Sequence, residues 1–225
     1  MDTQSGSFRV YRVVEAVKHL NFQQTTTPKL YSVHSVGYAD DRQALVDSLD
    51  TGDLVEATLE GDREADSAAW RVLSLTRTDR VPFGFAVDVA YEDLPTAARA
   101  LAADREFGDG DSPADPAGAT LTDGDDAVGE CWIQPRSALP DGAFVPNVLT
   151  GVLPLEPWLT SLPNVGEPAA EVLVIDPAGP TDGEFSVPFG VFLFFTEAGA
   201  ELATEYRDRY GCPRDVDSRP AFDPY

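Results

Sequence analysis

The stretch DLVEATLEG, Asp53 to Gly61, decides the fold class. Val55, Ala57 and Leu59 point one way while Glu56, Thr58 and Glu60 point the other, the period-two alternation of a strand with one buried face. Immediately upstream, ADDRQALVDSLDTG (Ala39–Gly52) predicts a short helix: Asp40 or Asp41 caps its start, Ala44, Leu45 and Leu49 share a face, and Gly52 ends it. Downstream, past an acidic loop, AAWRVLSLTRT (Ala68–Thr78) supplies the partner for a long-loop hairpin. Further upstream, FRVYRVVEAV (Phe8–Val17) and KLYSVHSVGY (Lys29–Tyr38) are rich in Val and Tyr, which suit a pleated surface. Between them HLNFQQTTTPK (His19–Lys29) reads as a loop. Its amides and hydroxyls offer ligand contacts or describe an ordinary solvated turn.

The remainder of the chain mixes strands with helices. FGFAVDVAY (Phe83–Tyr91) is a further strand, and DLPTAARALAADR (Asp93–Arg105) is a helix capped by Asp93, with Leu94, Ala98 and Leu101 on one side. Residues 106–129 are rich in Gly, Asp and Pro and show no periodicity, which predicts an exposed, mobile loop. GECWIQP (Gly129–Pro135) is a short strand, and the six prolines within residues 138–168 predict irregular connections. AEVLVID (Ala170–Asp176) and SVPFGVFLFF (Ser186–Phe195) are buried strands, the second apolar on both faces and therefore central or covered. TEAGAELATEYRDRYG (Thr196–Gly211) is a helix capped by Thr196 and closed by Gly211.

The fold class is thus α+β, with a β-rich module over residues 1–80 and an acidic mixed α/β module over 81–225. The boundary near Arg80 coincides with a shift in charge. Residues 1–80 hold 9 cations and 13 acids, whereas 81–225 hold 7 cations and 26 acids. The whole chain carries 39 Asp and Glu against 16 Lys and Arg, a net charge of -23, and only Lys18 and Lys29 are lysines. Such a surface repels itself in dilute buffer and is tolerated once concentrated salt screens it. With 43% hydrophobic residues, the chain can still build real cores. Two cysteines make no disulfide framework, the start MDTQSGSFRV has no secretory pattern, and no apolar run is long enough for a membrane span. A cytoplasmic protein follows as the expectation.

Motifs for catalysis are absent: no GxSxG, Walker A or GxGxxG appears. No CxxC or HxxxH pair starts a metal site, and the acidic loop fails the EF-hand pattern because Ala114 and Thr120 fall where Gly and Glu are required. No metal and no cofactor is expected, only hydrated cations on the acidic surface. Cys131, beside Trp132 in an apolar strand, reads as a buried inert thiol. The candidate site lies instead where acid is missing. Ala16 to Ala39 contains no Asp or Glu and holds both Lys and both His. Arg9, Arg12, Lys18, Phe22, Lys29 and Tyr31 interleave cations with aromatic rings, the pairing that holds single-stranded nucleic acid. Two ordinary core strands would be acid-poor as well.

The strands Phe8–Val17, Lys29–Tyr38, GDLVEATLEG and AAWRVLSL resemble a small β-barrel of the oligonucleotide-binding (OB) kind over about a third of the chain. The helix stands directly before GDLVEATLEG, and a general α+β sheet is the alternative. In composition the chain resembles cytoplasmic proteins of halophilic archaea, a likeness that implies no activity. The first functional expectation is a non-catalytic protein that binds single-stranded nucleic acid. The second is a subunit or adaptor in a protein assembly, using Val187–Phe195 or the surroundings of Trp158. The third is an enzyme of unknown class built from scattered residues.

Overall fold

A computed structural model describes residues 1–13, 17–62, 69–105, 115–177, 185–214 and 216–221. The chain forms two compact units. The first takes in Met1–Pro82 and Val148–Glu156, the second Phe83–Asn147 and Pro157–Pro220. With two five-stranded sheets and a few helices, the protein is a β-rich α+β fold.

The first unit is built from β1 (Asp2–Arg12), β2 (His19–Gln24), β3 (Leu30–His34), helix α1 (Asp40–Asp47), β4 (Asp53–Gly61) and β5 (Arg71–Arg80), in the order β3-β2-β1-β4-β5. The alternation in β4 holds: Val55, Ala57 and Leu59 are buried while Glu56 is exposed. Register shifts between Leu54 and Val55 and between Thr58 and Leu59 add bend to the β4–β5 pair. The sheet curls until its two outer strands meet. Val33 bridges Trp70 in parallel, His34 N–H donates to the Trp70 carbonyl at 2.9 Å, and Trp70 N–H donates to Ser32 at 2.7 Å. Gly61 is required there, since a Cβ at that position would stand 2.5 Å from the Trp70 indole. Phe8, Val10, Leu20, Phe22, Tyr31, Val55 and Leu59 fill the interior, joined by Val46 of α1 and Leu49 just beyond it. Each fully buried side chain of this size contributes about 1.5–3 kcal/mol.

Local expectations change here. His19–Gln24, expected as loop, is a strand paired with both neighbours. Its polar residues Asn21 and Gln23 lie on the face opposite the core, and that face is covered too, as described below. Of the strand expected over Phe8–Val17, β1 ends at Arg12, and residues 14–16 lie outside the described residues.

The second unit orders its strands β6-β9-β10-β8-β7. They are β6 (Phe83–Val89), β7 (Ala117–Asp123), β8 (Asp126–Pro135), β9 (Glu171–Pro177) and β10 (Phe189–Phe195). β6 runs parallel to β9, and the other pairs are antiparallel. Helices α2 (Thr96–Asp104), the short α3 (Phe144–Leu149) and α4 (Glu156–Thr160), and α5 (Ala200–Tyr210) follow along the chain, and α2 and α5 contribute Ala98, Ala102 and Ala203 to a core with Ile133, Leu173, Ile175, Val191 and Leu193. On the other face of β10, Phe144 meets Phe192 at 4.8 Å and Trp158 stacks on Phe194 at 6.1 Å between ring centroids. β10 is therefore central and covered on both sides, as its unbroken apolar run requires.

Part of the expected 106–129 loop is regular. Residues 106–114 lie outside the described residues, but Ala117–Asp123 and Asp126–Pro135 form a hairpin in which Asp123 pairs with Asp126. Gly124 takes the first turn position at φ 58°, as a two-residue turn of the primed kind demands. Thr196 does not cap a helix. Its hydroxyl donates to the Val128 carbonyl at 3.1 Å, and α5 begins after a 3-10 turn at Glu197–Gly199. Gly211 closes α5 in the left-handed region at φ 64°.

Candidate functional site

The six sequence-derived candidates fall into three environments. Phe22 and Tyr31 are in the barrel core, where Phe8 stands 6.0 Å from Phe22 and 5.7 Å from Tyr31. They present no face to solvent and cannot stack a base. Their spacing marked a core strand pair, which has the same aromatic content as a stacking platform. Arg9 is also buried, on the opposite face of β1. Arg12 donates to the backbone carbonyls of Asp47 and Leu49 at 3.0 and 2.7 Å, which ties the end of β1 to α1. Lys18 and Lys29 are exposed, one at each end of the β2–β3 hairpin. The six residues do not make one site.

The structure gathers a different set on the outer face of β1, β2 and β3. Val148–Glu156 belongs to this unit and lies against that face. Arg9 sends Nε and Nη2 to the two carboxylate oxygens of Glu156, each at 2.9 Å, and Nη1 to the Gly52 carbonyl at 2.9 Å. Asn21 Nδ2 donates to the Thr150 carbonyl at 2.7 Å and Gln23 Nε2 to the Gly151 carbonyl at 3.4 Å. Gly151, at φ 72°, brings its backbone against the Tyr11 ring, and a Cβ there would stand 2.9 Å from it. Tyr11 and Leu155 are fully buried. Burial pushes the Tyr11 phenol well above its usual range, with Arg9 pulling the other way. The segment thus acts as a strap: side-chain amides of β2 hold its backbone, and Arg9 holds its terminal carboxylate.

Beside the strapped face an edge remains open. His19 and His34 are direct cross-strand partners with ring centroids 5.4 Å apart. Lys18 precedes His19, and its carbonyl accepts from Ser35 N–H at 3.0 Å. Arg71, the first residue of β5, donates to the Gly37 carbonyl and lies 4.9 Å over the Tyr38 ring. Partial burial, then His19, then Arg71, hold the His34 imidazole below its usual value. The cations Lys18 and Arg71 thus flank the His19–His34 pair and give this edge positive charge in a chain of net charge -23. Sequence reasoning found Lys18 and the window around both histidines. It missed Arg71, which the β3–β5 contact brings there from 37 positions beyond His34.

Other chemistry is limited. Among the described residues no group of three or more His, Cys, Asp or Glu is placed to hold a metal ion. Burial pushes the Cys131 thiol up to about 12, so it stays protonated at neutral pH. Val187–Phe195, expected as a docking surface in the assembly reading, is almost wholly inside the second unit and offers no such surface. Trp158 is likewise engaged, 5.5 Å from Trp132 and stacked on Phe194. Among the described residues no helix is long and apolar enough to cross a membrane.

Barrel, strap and open cationic edge define a β-rich α+β protein whose first unit is organised around one covered and one accessible surface. The chain belongs to a family of unknown function, DUF6663, whose model matches residues 1–215. No curated protein and no solved structure matches it.

Proposed function

We propose that the protein is a non-catalytic binding protein and that its first unit is an OB-type barrel that holds single-stranded nucleic acid at the Lys18–His19–His34–Arg71 edge. The observation that carries this reading is the strand order β3-β2-β1-β4-β5, closed by a parallel β3–β5 contact, with α1 after β3 and before β4. That is the arrangement of OB barrels, which bind ligands on the β2–β3 face and through the loops after β1 and β4. The open edge lies where those features meet. The buried aromatic rings remove the stacking part of the sequence expectation, so attraction rests on the cations and their hydrogen bonds to phosphate. The acid excess elsewhere supports a cytoplasm rich in salt, as in halophilic archaea, and keeps polyanions off the rest of the surface.

Fluorescence polarisation with a labelled 15-nucleotide oligo-dT, from 0.2 to 2 M KCl, tests the reading. Saturable binding that weakens with salt and drops at least about tenfold in Arg71→Glu supports it. Absence of saturable binding at 0.2 M contradicts it.

The strap favours a second reading, an adaptor in a protein assembly. A face that already holds a turn of chain by its backbone and one carboxylate has the chemistry to hold a similar segment from another chain. Light scattering in 2 M KCl separates the readings, because a strict monomer that binds oligo-dT argues against assembly.

A further inference from the structure

The chain has two histidines, and the fold makes them direct partners. His19 and His34 lie 15 positions apart in sequence and meet only through the β2–β3 register. That register is fixed on both sides. The neighbouring pair, Leu20 and Val33, is buried in the barrel core. Ser35 N–H donates to the Lys18 carbonyl at 3.0 Å, and His34 N–H donates to the Trp70 carbonyl at 2.9 Å. Side chains alternate along a strand, so with Leu20 and Val33 inward both imidazoles stand on the outer face. Both are half-buried, and among the described residues no hydrogen bond engages a nitrogen of either ring. The ring centroids are 5.4 Å apart, with the planes at 53°.

That spacing is the one a shared metal ion requires. Zinc takes imidazole nitrogen at about 2.0–2.1 Å, and the nitrogen lies about 1.1 Å from its ring centroid, so two rings on one tetrahedral ion place their centroids about 5 Å apart. We propose that His19 and His34 together bind one divalent transition-metal ion of the zinc or copper kind. Imidazole suits these borderline ions, whereas Mg²⁺ and Ca²⁺ demand oxygen, so the salts of a concentrated cytoplasm do not compete for the pair. Among the described residues no third His, Cys, Asp or Glu completes a ligand group, so water fills the remaining positions and the site stays open on its solvent side. Lys18 and Arg71 oppose a dication through space. Arg71, however, is turned onto the Tyr38 ring and the Gly37 carbonyl, and molar salt cuts such repulsion to a range of about 3 Å without weakening a coordinate bond. The strands hold both rings in place before the ion arrives, so little ordering is needed on binding.

This site stands whether or not the edge holds nucleic acid. The test is an NMR titration of the imidazole signals of the full chain with Zn²⁺ at pH 7.5, in 1 M KNO₃ with 10 mM Mg²⁺ to occupy the acidic surface. The expected result is that both rings move together and saturate at one Zn²⁺ per chain, while Mg²⁺ or Ca²⁺ alone moves neither. The second imidazole binds as an intramolecular ligand, so His34→Gln should weaken Zn²⁺ at His19 by at least about tenfold, and His19→Gln should do the same at His34. Movement of one ring alone, two ions bound per chain at equal affinity, a drift that does not saturate, or unchanged affinity in either variant would overturn the proposal. Electron paramagnetic resonance of one equivalent of Cu²⁺ on the unaltered protein decides it even where a variant folds poorly: two imidazole nitrogens on the copper support the site, and one or none contradicts it.

Discussion

Arg9 and Glu156, 147 positions apart, form a two-pronged ion pair in which both carboxylate oxygens lie 2.9 Å from guanidinium nitrogens. Their side chains are 5% and 16% exposed, so each has surrendered most of its water. The pair fastens the strap to the barrel and removes Arg9 from the cations available to a ligand.

Removing one partner leaves the other buried and unpaired. Glu156→Ala should therefore cost about 3 kcal/mol of stability in urea titrations at 2 M KCl. Glu156→Gln keeps the shape and should cost less. Loosening of the strap itself should appear as faster proteolysis within Val148–Glu156 in the Ala variant.

Gly151 brings its backbone close to the Tyr11 ring, and its φ of 72° disfavours a side chain. Gly151→Ala adds a methyl group 2.9 Å from the ring. The expected loss is about 1–3 kcal/mol, read as a lower midpoint in thermal unfolding followed by circular dichroism.

Asp53 is fully buried at the start of β4, and burial raises its pKa, against the pull of Asp50 N–H, Arg77 and Arg80. A raised carboxyl favours the protonated form in the folded state. Its contribution is most favourable below the unfolded value of about 3.9 and is lost as pH rises through the folded value. The stability of the unaltered protein relative to Asp53→Asn should thus fall as pH climbs from about 4 to 7. A difference that grows over that interval would contradict the assignment.

His34 is held below the usual imidazole value of about 6.5, so it is neutral at pH 7 and gains charge only in acid. Under the proposed function, oligo-dT affinity should rise as pH drops from 7 to 5. His34→Gln should flatten that rise and leave affinity at pH 7.5 within about twofold.

Half-buried strands were legible because their chemistry is local. Val55, Ala57 and Leu59 alternate with polar residues, and Phe189–Phe195 is apolar on both faces, so burial could be assigned without knowing the neighbours. β2 was not legible, because Asn21 and Gln23 are polar for a long-range reason: they bond to Thr150 and Gly151. The β7–β8 hairpin carries its signal in Gly124, but the Asp residues around it imitate a solvated loop. Phe22 and Tyr31 show the reverse error, since aromatic residues among cations read as a platform until the barrel closes over them. Arg71 and Glu156 acquire their roles only through contacts made by the folded chain.

The most direct test of the central claim is an amide NMR map of oligo-dT binding on the full chain at 0.2 M KCl. The account predicts shifts concentrated at Lys18, His19, His34 and Arg71, with the strapped residues Arg9, Asn21 and Gly151 unmoved. Shifts absent from that edge, or confined to the second unit, would contradict it.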